Sequence, residues 1–187
     1  MARRARKTTP AAVARHDLVL CGQKMEVAYS VPAIQPVADG QWRVEPDKVA
    51  WTDRCTGYPC IIRREEGGHL GGYVGIPRGH PLYGYEVDAV PAGSLSVPGG
   101  LDYAAPCDER GPESRSICHV RGNILHHDDI WWVGIVCDRI GDLIPDDADH
   151  AREAQRLGIR QVYRDATTLY GICTDLAAQL KVVEDER

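Results

Sequence analysis

No phenylalanine occurs in the 187 residues, although four tryptophans and eight tyrosines do. Each of those twelve rings therefore carries an N–H or O–H, which suits half-buried positions and the walls of a ligand site better than a dry core. A basic surplus is missing as well. The net charge of −5 and pI near 5.8 oppose general nucleic-acid binding, because neutralising phosphates needs lysine and arginine in excess. No apolar run approaches the roughly 20 residues that span a bilayer, so no membrane partner is expected. The chain opens on no secretory signal, and its seven cysteines are odd in number and irregularly spaced. Reduced thiols in a cytoplasmic protein are the simplest expectation. A single domain of this length buries a core without needing disulfides or metal to hold it.

What is present divides into a β-rich first part and a helical end. Residues 1–16 are basic and small and form no apolar face, which predicts a frayed arm ahead of one domain over 17–187. Residues 17–30 have the content of a strand or two, followed by the Pro-containing linker VPAIQPVADG. Around VAW, at 49–51, the pattern does not separate a short helix from a turn. Next, 58–64 (YPCIIRR), 65–68 (EEGG) and 69–76 (HLGGYVGI) read as a strand, its turn and the returning strand of a hairpin. Further strands are expected at 95–103, at 115–121 ending in a Gly-Asn turn, and at 130–137 (IWWVGIVC). The last is apolar throughout, as a strand near a sheet centre and covered on both faces would be. Gly134 within it predicts a close backbone or ligand approach.

Beyond 145 the period changes. A short helix is expected over 146–157, with Gly158 placed to stop it. Val162, Ala166, Leu169, Ile172, Cys173, Leu176 and Leu180 then recur at helical spacing, giving one apolar stripe on a helix running to about Val183. Strands first and helices last indicate an α+β fold, mainly an antiparallel sheet packed against a long C-terminal helix.

The segments EPDKVAW, CTGYPCIIRR, GGYVGIPRGHPLYG, ICHV, DDIWWVGIVCDRIGD and YRDATTLYGICTDLAAQL are ordered along 45–180. Together they resemble a family of proteins encoded by bacteriophages and prophages that has no settled activity. The resemblance implies phage origin and the cytoplasm of a host cell. Two places depart from its pattern. Pro98-Gly99-Gly100-Leu101 stands where the resemblance leads one to expect His-Gly-Gly-Leu. Cys137-Asp138-Arg139-Ile140-Gly141-Asp142 stands where Cys-Ala-His followed by Gly-Asp is expected.

The run GGHLGGYVGIPRGHPLYGY, 67–85, is the candidate site. Its glycines let backbone N–H groups converge, Arg78 and His80 supply charge and an imidazole, and Tyr73, Tyr83 and Tyr85 can stack on a ring. Trp131 and Trp132 point to opposite faces of their strand, one toward the core and one free to line a pocket, so Trp132 joins the ligand candidates. The bland account is that the glycines relieve crowding between strands and His80 caps a Pro-rich turn. A metal site built from Cys55, Cys60, Cys118, His119, His126, His127, Asp128, Asp129, Cys137 and Asp138 is the second reading. No Cys-x2-Cys pair supports it, and no metal or cofactor is expected. Acid–base chemistry would pair His80 or His119 with Asp102, Asp138 or Asp142, with no Walker, Rossmann or G-x-S-x-G motif behind it. Whether the protein is an enzyme stays open. The expected function is a phage-encoded accessory protein that binds a small anionic or nucleotide-like ligand, with sequestration of a host signalling molecule as its use. The alternatives are a metal-assisted hydrolase of a similar ligand, or a module that binds a host protein and has no small-molecule site.

Overall fold

The computed structural model describes residues 11–108, 111–119 and 129–186. The expected hairpin forms its middle. Strand β6 (Pro59–Arg64) pairs antiparallel with β7 (Leu70–Pro77), setting Cys60 opposite Val74 and Arg64 opposite Leu70, and the turn falls on the predicted EEGG. On one side β5 (Lys48–Thr52), β4 (Val27–Ser30) and β1 (Val13–Arg15) continue the sheet; on the other β9 (Ile130–Val136) and β8 (Tyr103–Pro106) complete it. The order is β1-β4-β5-β6-β7-β9-β8, seven strands with every pairing antiparallel. A small ribbon, β2 (Val19–Leu20) with β3 (Gln23–Lys24), stands apart. Two helices follow, α1 (Ala148–Arg156) and α2 (Ala166–Asp185). The fold is α+β, a large antiparallel sheet backed by the long C-terminal helix.

Alternation along the strands sends side chains to two cores. Trp51, Cys60, Ile62, Val74, Ile76, Val133 and Ile135 face α2 and meet Leu169, Cys173, Leu176, Ala177 and Leu180, the predicted apolar stripe. Val27, Ala50, Ile61, Tyr73, Ile130 and Trp132 face the other way with Ile117. Both helices start on aspartates. The Asp147 carboxylate accepts from His150 N at 2.9 Å and that of Asp165 from Thr168 N at 2.8 Å, satisfying amides that the first turn leaves open.

Several expectations are corrected. The stretch at VAW is neither helix nor turn but the buried strand β5, because its β-branched and aromatic side chains fill both cores between β4 and β6. No strand occupies 95–102; the strand begins at Tyr103. Residues 115–119 form no strand, and the Gly-Asn turn lies outside the described residues. Val13–Arg15, counted with the basic arm, add an edge strand instead. Val162 precedes α2 and is 52% exposed, bridging to Asp142. Strand β9 is covered on both faces but lies second from the sheet edge. The thiols are not all reduced, since Cys107 and Cys118 form a disulfide. Gly134 does mark a close approach: a Cβ there would lie 2.2 Å from the carbonyl oxygen of Gly72 on β7.

A buried ion pair ties the start of β5 to the end of β6. Arg64 and Asp47 both have fully buried side chains, with Nε donating to Oδ1 at 2.6 Å. The guanidinium also donates to Gly68 O, Trp42 O and the Tyr163 hydroxyl, which leaves few of its donors unsatisfied.

Candidate functional site

The 67–85 run does not bring its polar groups to one point. His80 is buried beside α2; its Nδ1 accepts from Leu82 N at 3.0 Å, so Nε2 carries the proton and donates to Leu180 O at 2.9 Å. Burial holds this imidazole below its usual pKa. Arg78 faces outward, with its side chain 66% exposed, its Nε 3.1 Å from Asp129 Oδ1, and its guanidinium near the Tyr83 ring. Tyr73 is fully buried in the opposite core and donates its hydroxyl to Glu65. Tyr85 is exposed, and its carbonyl accepts from the indole of Trp131. The two tryptophans do take opposite faces, but Trp132 is the one sealed in the core, while half-buried Trp131 holds the loop at Tyr83 and Tyr85.

The residues of the metal reading are likewise spread. Among the described residues no group of three or more His, Cys, Asp or Glu is placed to hold an ion. Cys118 is bonded to Cys107, and Cys60 is buried with its thiol pushed up by desolvation. His119 lies between Glu113, 2.9 Å from Nδ1, and Glu26, 3.1 Å from Nε2. His126, His127 and Asp128 lie outside the described residues.

A different group converges where β9 ends. Val136 leads into the turn 137–142, which the Asp142 carboxylate closes by accepting Arg139 N at 3.2 Å, while Asp142 N donates to Arg139 O at 2.7 Å. The other Asp142 oxygen accepts Arg164 Nε at 3.0 Å, drawing in the residue just ahead of α2. The Asp142 carbonyl accepts Gln161 Nε2 at 3.0 Å and faces His150 Nε2 at the same distance. Asp102, immediately before β8, accepts Val136 N at 2.6 Å on one oxygen and Arg139 Nη2 at 3.1 Å on the other. The 98–100 loop lies against the Arg139 guanidinium. At Gly99 the φ of +83° is what calls for glycine; a Cβ there would also meet the Arg139 side chain, whose flexible end can move aside.

These elements enclose a cavity of about 220 Å³, lined by Pro98, Gly99, Ile135, Val136, Cys137, Arg139, Gly141, Asp142, Arg164 and Ile172. Its one carboxylate is committed, because both Asp142 oxygens are taken as described. Its donors are not. Among the described residues, neither terminal nitrogen of Arg164, nor Nη1 or Nε of Arg139, has a hydrogen-bond partner. The Cys137 thiol in the wall is pushed up to about 12, first by burial and then by Asp142, so it is neutral at physiological pH and offers no thiolate. Burial also raises the Asp102 carboxyl, against the opposing pull of Val136 N and Arg139. The lining thus sets two guanidiniums beside an apolar floor of Ile135, Val136 and Ile172.

A larger groove of about 580 Å³ beside the 65–68 turn is less suited to an anion. There Arg63 already spends its donors on Glu65 and Arg115 O, and Glu65, Glu66 and Asp146 line the wall.

None of the residues lining this cavity belongs to the 67–85 run. Asp142 bonds Arg139, three positions before it, and Arg164, 22 positions after it, and nothing in that spacing forecasts the convergence. Segments 98–101 and 137–142 both contribute to the lining of the cavity. Comparison with protein-family models, with curated proteins and with solved structures finds no match to this chain.

Proposed function

We propose that the protein binds a small anionic ligand in the cavity at the end of β9, with Arg139 and Arg164 receiving its carboxylate or phosphate group. The observation that carries this reading is the set of uncommitted guanidinium donors on one small cavity whose single carboxylate is already paired. A cavity of about 220 Å³ suits the charged head of a ligand and a small apolar body. Pockets that enclose larger organic ligands begin near 300 Å³. A nucleotide would therefore seat a phosphate here and leave its base outside. The ligand class expected from the sequence is kept and its place is moved from the 67–85 run, where His80, Tyr73 and Trp132 are committed to packing. A phage-encoded accessory role, with sequestration of a host signalling molecule as its use, is the biological setting that the sequence resemblance suggests for such a binder.

The test is a thermal-shift and calorimetric series with inorganic phosphate, acetate and nucleoside monophosphates. A ligand that prefers the native state raises its melting temperature with concentration. Saturable binding that Arg164→Gln weakens supports the reading; anions that bind equally to both proteins place the ligand elsewhere. Chromatography of a bound organic phosphate after incubation then separates a binder, which releases it intact, from an enzyme.

A further inference from the structure

The cavity at the end of β9 is polar at its rim and apolar at its base. Arg139 and Arg164 keep 44% and 39% of their side-chain surface exposed, whereas Ile135 and Cys137 are buried. Half-buried Ile172 of α2 completes the apolar side. The Cys137 thiol, held neutral, packs there as a small apolar group. A ligand that satisfies the whole cavity therefore carries its charge at one end and an apolar body at the other. A bare phosphate meets only the rim.

Charge narrows the class further. Each guanidinium already has a carboxylate beside it, Asp142 at 3.0 Å from Arg164 Nε and Asp102 at 3.1 Å from Arg139 Nη2. Asp138 is a third, close enough to act with those two in raising the Cys137 thiol. Two arginines thus face three aspartates before any ligand arrives. The free guanidinium donors can receive one more negative charge, but a second would have no counter-charge left and would lose water next to carboxylates. The shape of those donors matters as well. Both terminal nitrogens of Arg164 lack a partner among the described residues, and such a fork matches the two oxygens of a planar carboxylate.

Resting on the reading that Arg139 and Arg164 receive an anion, we propose that the ligand is a short aliphatic monocarboxylate, with its carboxylate on the Arg164 fork and its chain against Ile135, Cys137 and Ile172.

The experiment titrates acetate, butyrate, hexanoate, succinate and inorganic phosphate calorimetrically into the full chain and into Arg164→Gln and Ile172→Ala, with the melting temperature of each protein. Alanine suits the helical position of Ile172, so that variant keeps its fold. Affinity is expected to rise from acetate to hexanoate, by about fourfold for each methylene that is fully buried. Butyrate is expected to bind at least about tenfold tighter than succinate, which has the same number of carbons and one more charge. Ile172→Ala should leave acetate unchanged and weaken hexanoate severalfold, while Arg164→Gln weakens every carboxylate. Affinity that does not grow with chain length, or succinate or phosphate bound as tightly as butyrate, overturns the proposal; the anion site itself then stands if Arg164→Gln weakens what binds. A chain-length gain that survives intact in Ile172→Ala also overturns it, by placing the chain elsewhere. If none of the five anions binds, or Arg164→Gln weakens none of them, the reading beneath the proposal falls with it.

Discussion

At the scale of single residues, the fold depends on charges that have been taken out of water together. Arg64 and Asp47 are fully buried, and each satisfies the other along with neighbouring carbonyls and amides. Removing one partner leaves the other charged and unpaired in the interior, which costs about 3–5 kcal/mol. Arg64→Ala is therefore expected to lower the stability measured by urea denaturation by about that amount. An unchanged midpoint would mean that water reaches Asp47. Gly134 is the second sensitive position, since any side chain there meets the Gly72 carbonyl. Gly134→Ala is expected to cost at least the roughly 1–3 kcal/mol of overpacking, because the opposing atom is backbone and yields poorly. Sequence reading identified Gly134 as a point of close approach from its place within an apolar strand. The Arg64 pair was not legible, because its partners stand 17 positions apart and only the β5–β6 register brings them together.

At the scale of elements, what could be read was local. The β6–β7 hairpin announces itself through two apolar runs around EEGG, and the stripe of α2 through its period, so both stand where expected. Strand β5 was missed because five residues after a proline are too few to show a period, and tertiary pairing decides their conformation. Strand β8 was missed because the Pro- and Gly-rich stretch before it seemed to belong to it. The cavity is assembled from the ends of such poorly legible elements: the loop before β8, the turn after β9, and the residue ahead of α2. A prediction belongs to this scale. Asp102 ties the loop before β8 to Arg139, so Asp102→Asn removes a competing anion from that guanidinium. Its expected effect is tighter binding of inorganic phosphate with a smaller dependence on pH, read by calorimetry. Weaker binding would show that Asp102 positions Arg139 rather than competing for it.

At the scale of the whole molecule, two buried imidazoles set how stability depends on pH. His69 and His80 are both held below the ordinary value of 6.5 by burial. The unfolded chain therefore binds protons that the native state refuses. Stability from this source is complete above about pH 6.5 and is lost as pH falls through that value toward the native pKa values. Urea midpoints measured between pH 7.5 and 5.5 should decline. They should decline less in His69→Gln, whose buried Nδ1 has no partner to lose. A midpoint that rises on acidification would contradict the buried neutral state. Among the described residues no helix is long and apolar enough to cross a membrane.

The central claim is that uncommitted arginine donors at the end of β9 receive an anion. The most direct measurement is a calorimetric titration of inorganic phosphate into the wild-type protein and into Arg164→Gln, alongside the melting temperature of each without ligand. The account predicts one-site binding that weakens about tenfold or more in the variant, a difference of roughly 1.4 kcal/mol, with little change in melting temperature. Equal affinity in the two proteins, or no heat of binding in the wild type for phosphate or for acetate, would contradict it.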